Sequence, residues 1–204
     1  MNETLESKTK RTSWAVSVGL IACFLVLYGI VNHLPLHRHV IPFWFGENNI
    51  PFLPWTFIIY ISAFVQGAIA IRYIPPVFLP KALVIALYMV IIGLIFFILF
   101  PIEYPRYLYP SANYLIESFR TSDASGNCFP SLHVATTLFL TSTYCLFEKS
   151  SVRKTLMWIW SIAIIISVLT TKQHYIVDIL GGIILVIPCI FLLQKRFDEM
   201  YPNK

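Results

Sequence analysis

Six apolar runs divide the chain, at about 14–31, 52–71, 82–100, 132–147, 156–169 and 176–193. A helix that crosses a bilayer needs roughly 20 apolar residues, so these runs predict an all-α integral membrane protein built as a six-transmembrane helix bundle. The fourth and fifth runs are the shortest and hold several polar residues. Prolines punctuate the runs: Pro51 and Pro54 before the second, Pro75, Pro76 and Pro80 before the third, and Pro101, Pro105 and Pro110 after it. Proline is disfavoured inside helices and favoured in their first turn, so these positions read as boundaries. Trp14, Trp44, Trp55, Trp158 and Trp160 fall at or near run ends, as an interfacial aromatic belt would. The first run is long enough to span, and no Ala-x-Ala-like site follows it, so it reads as a retained helix.

Composition agrees with this pattern. Hydrophobic residues make up 57% of the chain and charged residues 12%, with a mean hydropathy of +0.72. A soluble domain carries about 25% charged residues. The runs leave little chain for anything else, so residues 1–204 read as one domain. The net charge of +5 matters through its placement. With both termini cytoplasmic and six spans threaded, eleven Lys and Arg residues, Lys204 among them, fall inside, and four fall outside: Arg38, Arg106, Arg120 and Lys172. That asymmetry obeys the positive-inside rule. The basic balance is therefore a topology signal, and a nucleic-acid partner, which needs a basic patch in polar surface, is not expected.

The threading puts two histidine motifs at one outward face. In Lys172-Gln173-His174-Tyr175-Ile176-Val177-Asp178, His174 and Asp178 are four apart and share a helix face. A carboxylate there fixes the imidazole tautomer and leaves the other nitrogen basic. A neutral ring held this way is a candidate nucleophile toward phosphorus. In Cys128-Phe129-Pro130-Ser131-Leu132-His133, Pro130 suits the first helical position, and the free N–H groups of a helix start form an anion site. Ser131 adds a hydroxyl donor, and His133 is a candidate general acid. Arg106 and Lys172 are outward cations suited to a phosphoryl group in transfer. Arg120 has the same chemistry, but nothing in the sequence ties it to the motifs.

Other features carry less. His33, His37 and His39 read as a solvated loop. Tyr114, Leu115 and Phe119 are expected to line one face of a short interfacial helix in the 101–127 loop. Gly181 and Gly182 let a neighbouring helix approach the site closely. Cys23, Cys128, Cys145 and Cys189 form no Cys-x-x-Cys pair, so neither a zinc knuckle nor a disulfide framework is indicated. The two histidines and Asp178 also leave open a non-enzymatic protein that binds a metal or a proton.

These residues resemble the type 2 phosphatidic acid phosphatase superfamily, and within it the branch that contains inositol phosphorylceramide synthases. The family's blocks are Lys-x6-Arg-Pro, Pro-Ser-Gly-His and Ser-Arg-x5-His-x3-Asp. The second appears as Pro130-Ser131-Leu132-His133, with leucine for glycine. The third keeps Ser167, His174 and Asp178, with Val168 at the arginine position. The first keeps Arg106, with Leu99 for lysine and Tyr107 for proline. The resemblance implies six spans and an outward-facing site that needs no metal or other cofactor. It implies His174 as nucleophile, Asp178 as its orienter and His133 as general acid, with Arg106, Ser131 and Lys172 holding phosphate. The implied partners are the bilayer and a phosphorylated membrane lipid. The expected activity is a lipid phosphatase working through a phosphohistidine. The alternative is a phosphotransferase that hands the group to an alcohol or a second lipid. The compact chain points to a bacterial plasma membrane, with the site on its outer side.

Overall fold

The computed structural model of the chain describes residues 2–43, 46–123 and 125–202; Trp44 and Lys204 lie outside them. The helices are α1 (Asn2–Asn32), α2 (Phe57–Tyr73), α3 (Leu79–Leu99), α4 (Tyr114–Ser122), α5 (Leu132–Phe147), α6 (Ser151–Thr170) and α7 (Ile176–Met200). Five stretches are long and apolar enough to cross a membrane: Lys10–Asn32, Pro54–Tyr73, Leu79–Leu99, Ser151–Thr170 and Ile176–Met200. The architecture is therefore that of a multi-pass helical membrane protein. α5 has the predicted bounds, but its 16 residues reach only about 24 Å, against a hydrocarbon core of roughly 30 Å. α6 begins earlier than the apolar run does, at Ser151, which puts Trp158 and Trp160 inside the helix rather than at its edge.

Local chemistry sets the helix starts. Pro80 occupies the first turn of α3. The Asn113 side chain accepts from the Leu115 N–H at α4, Ser131 from the Val134 N–H at α5, and Ser150 from the Arg153 N–H at α6. Each cap satisfies one of the donors that a helix start leaves free.

α5 packs between α2, α6 and α7, and none of its residues is exposed. α3 packs on α7, and α1 on α3. Short turns join α2 to α3 and α5 to α6 at one end of the bundle. There Phe78, Phe139, Leu193 and Phe197 form an apolar cluster with Ile74 and Leu79. The long connections gather at the other end. The Leu53 N–H donates to Thr170 O at 2.8 Å, linking the entry of α2 to the exit of α6. The Ser131 N–H donates to Asp178 O at 2.9 Å, linking the starts of α5 and α7. Two-residue strands, β1 (His39–Val40) and β2 (Ile102–Glu103), pair in parallel and tie the first long loop to the second.

Glycines set the spacing of α5 and α7. A Cβ at Gly182 would lie 2.5 Å from Ser131 O, and one at Gly181 would lie 2.5 Å from the Phe129 ring. The expected face of α4 divides. Tyr114 is 82% exposed and Leu115 66%, whereas Ile116 is 1% exposed and Phe119 stacks edge-on against Phe57 and Tyr60. The inner face is 116–119–120, at helical spacing, so Phe119 belongs with the core and not with Tyr114 and Leu115.

Candidate active site

His174 lies in the short α6–α7 connection, two residues before α7 and so not on a shared helix face as expected, and Asp178 lies in the first turn of α7. The His174 Nδ1 lies 3.0 Å from Cys128 O and 3.2 Å from Asp178 Oδ2. A carbonyl and a carboxylate can only accept, so Nδ1 carries the hydrogen and shares it between them. In the neutral ring the lone pair then sits on Nε2. Asp178 Oδ2 also accepts the Tyr175 N–H at 2.8 Å, so one oxygen caps α7 and orients the imidazole. The Ile176 N–H donates to Glu47 Oε1 from the first long loop. Nothing in the sequence pointed to Glu47.

The second motif meets the first through the backbone. α5 starts at Leu132 with Ser131 as its cap, so Pro130, read as the first helical residue, stands before the helix instead; the Phe129–Pro130 bond is cis. Ser131 is buried, and its hydroxyl accepts the Val134 N–H at 3.4 Å. His133 stacks flat on Tyr60, with centroids 4.2 Å apart and planes 4° from parallel. Tyr60 is a part of the site that the sequence reading missed, because α2 carries no motif.

The cations come from three places. Arg106 is buried on a short 3-10 turn, donates to Asp123 O at 2.9 Å and pairs with Asp123 Oδ2 at 3.5 Å. Burial pushes the neighbouring Cys128 thiol up; Asp178 adds to this, and the Arg106 charge opposes it. Arg106 is thus within electrostatic reach of the His174 cluster. Lys172 is buried in the left-handed region, at φ 57°, where it closes α6. Its Nζ lies 3.5 Å from Glu47 O and 4.8 Å from the Tyr109 ring centre. Burial pulls the Lys172 ammonium down, and Glu47 opposes this. Arg120, on the inner face of α4, donates to Tyr109 O at 2.8 Å and to Thr171 O at 3.1 Å. The structure therefore ties it to the residue before Lys172, which the sequence did not.

Among the described residues, the buried side-chain atoms without a hydrogen-bond partner are Arg106 Nε, Arg120 Nε, His133 Nε2, Gln173 Oε1 and Asp178 Oδ1. Four of the five belong to the motif segments or to Arg106, and Arg120 meets them through its bond to Thr171 O. An unsatisfied buried polar group costs about 1–3 kcal/mol, so each of these atoms has bonding capacity left for a polar ligand. Cys128, His174 and Asp178 also offer ligand atoms within 4.8 Å of one another, the spacing of a metal-binding group. These side chains already serve hydrogen bonds: Nδ1 donates as above, and the Cys128 thiol donates to Ser125 O at 3.1 Å. The set fits a metal poorly unless both hydrogens leave. His33, His37 and His39 lie on exposed backbone, with the His37 and His39 rings 4.9 Å apart.

No curated protein and no solved structure matches the chain. A family model does, over residues 44–192, which takes in Glu47, Tyr60 and everything from Arg106 to Asp178. On that match the chain belongs to the PAP2 superfamily.

Proposed function

We propose that the protein is a lipid phosphatase of the plasma membrane that hydrolyses a phosphomonoester or diphosphate of a lipid at the extracytoplasmic face. Membership of the PAP2 superfamily suggests a phosphatase that acts on phosphorylated lipids. The observation that carries the mechanism is the His174 Nδ1 hydrogen held between Asp178 and the Cys128 carbonyl, which leaves Nε2 as the basic atom. Nε2 attacks phosphorus, and a P–N bond forms as the P–O bond to the lipid breaks. Protonated His133 gives its proton to the leaving oxygen. The imidazolium formed on His174 is stabilised by Asp178. Water then attacks the phosphohistidine and passes its proton to His133; the P–N bond breaks and orthophosphate leaves. Arg106 and Lys172 supply positive charge to the phosphoryl oxygens, and Ser131 fixes the start of α5 beside them.

The second step accepts any hydroxyl in place of water. Transfer to an alcohol is therefore the second reading, favoured by the Phe-Pro-Ser-Leu-His variant and its likeness to the synthase branch. The test is phosphate release from a panel of phosphorylated lipids by detergent-purified protein in chelator, beside His174→Ala. Release by the wild type and not by the variant is expected. Full activity in His174→Ala sinks the covalent route. Activity lost in chelator and restored by a divalent cation replaces it with metal chemistry at Cys128, His174 and Asp178. A new phospholipid formed only when an alcohol is added identifies a transferase.

A further inference from the structure

We propose that Arg120 binds the substrate phosphate, so that α4 works as the element that supplies a phosphate-holding guanidinium from above the histidines. This rests on the phosphatase reading and extends it to a residue outside the motifs. Ile116, one turn before Arg120, packs in one apolar cluster with Phe57, Tyr60, Val134, Val168 and Ile179. Phe119 meets the Tyr60 ring edge-on at 5.5 Å, and the same ring stacks on Phe57 and on the His133 imidazole. The inner face of α4 is therefore seated directly on the support of His133. Val168, at the α6 position where an arginine would stand in the third block, is buried and apolar, so α6 offers no cation there.

The Arg120 side chain is 6% exposed, whereas its carboxylate partner Glu117 is 47% exposed and 3.1 Å away. A half-exposed partner is screened by water and compensates a buried guanidinium weakly. The Nε of Arg120 is buried and unpaired, and so is the Nε of Arg106. Burial pulls the Arg120 guanidinium down; Glu117 opposes this, and the nearby Arg106 charge adds to it. Two buried guanidiniums that repel one another, each with an unused N–H, are stabilised by an anion placed between them. A phosphoryl group has the oxygens to accept from both. The bonds from Arg120 to Tyr109 O and Thr171 O hold the fork in place beside Lys172.

Orthovanadate and orthophosphate are the probes, used on the full chain in detergent. Arg120→Gln keeps much of the shape and removes the charge. It is expected to raise the inhibition constant of orthovanadate about 10- to 100-fold, the worth of a hydrogen bond to a charged group. It should also shrink the rise in melting temperature that orthophosphate gives, a readout independent of turnover. Arg120→Lys, which keeps the charge and loses the fork, should fall between Arg120→Gln and wild type, and serves alone if the glutamine variant does not fold. Unchanged orthovanadate inhibition and an unchanged orthophosphate shift, with only a lower melting temperature, would make Arg120 a clamp on the loops and overturn the proposal. Wild type that neither binds orthovanadate nor releases phosphate overturns the phosphatase reading itself, and this inference with it.

Discussion

Asp178 Oδ2 accepts both the Tyr175 N–H and the His174 ring, so the carboxylate that starts α7 also sets the imidazole. Asp178→Asn separates the two duties. An amide oxygen still caps the helix, but the amide no longer balances an imidazolium. On the proposed mechanism kcat should fall by about 10⁴-fold, as when the carboxylate of a serine-protease triad is made an amide. Helix content by circular dichroism should stay at the wild-type level. A kcat within tenfold of wild type would show that Asp178 is only a cap. The His174–Asp178 pair was legible because a four-residue spacing is a local signal. The Cys128 carbonyl was not, because a backbone acceptor leaves no trace in residue type. Glu47 was not legible for another reason. It reaches the Ile176 N–H across a long stretch of chain, and no periodicity links a loop acid to a helix it caps from outside.

At the level of elements, the site depends on how closely α5 and α7 approach. Gly181 and Gly182 were read as packing residues, and their Cβ positions show which one is critical. At Gly182 the obstacle is Ser131 O, a backbone atom of a residue whose N–H is pinned to Asp178 O. At Gly181 the obstacle is the ring of Phe129, which is only half-buried and can turn aside. Gly182→Ala should therefore destabilise by about 1–3 kcal/mol, the range for overpacking a tight contact. It should also lower kcat, because it pushes the residues before His133 away from His174. Gly181→Ala should do less on both counts. Melting temperature and phosphate release for the pair check this order, and equal effects would show that the helices part more easily than the backbone contact implies. The start of α5 was legible at Leu132, but Pro130 is not its first helical residue, for a related reason. Proline favours a first helical turn in general, but here Ser131 takes the cap and its N–H is spent on α7.

Across the whole molecule, α5 stands apart as the shortest of the apolar helices and one dense in hydroxyls, with five Ser and Thr among 16 residues. Its burial explains both traits. With no exposed residue, α5 needs no lipid-facing coat, and its hydroxyls find partners inside the bundle. Thr136 donates to Leu132 O at 2.7 Å, Thr143 to Phe139 O at 2.7 Å, and Thr141 shares a 2.6 Å hydrogen bond with Ser161 of α6. Hydropathy therefore under-reads a central helix, while it reads α3, with one flank open to lipid, without difficulty. Neighbours and lipid deformation accommodate a helix somewhat short of the core at a cost of fractions of a kcal/mol per Å. On this ground we propose that α5 crosses as the sixth span, which returns both termini to the cytoplasmic side. Ala112 precedes α5, Lys149 follows it, and both are exposed. Ala112→Cys should react with a membrane-impermeant thiol reagent on intact cells, above the labelling of the parent protein. Lys149→Cys should react only after the cells are opened. Labelling of both from the same side would mean that α5 enters and returns. The termini would then face opposite compartments, and the eleven-to-four division of cations would lose its topological meaning.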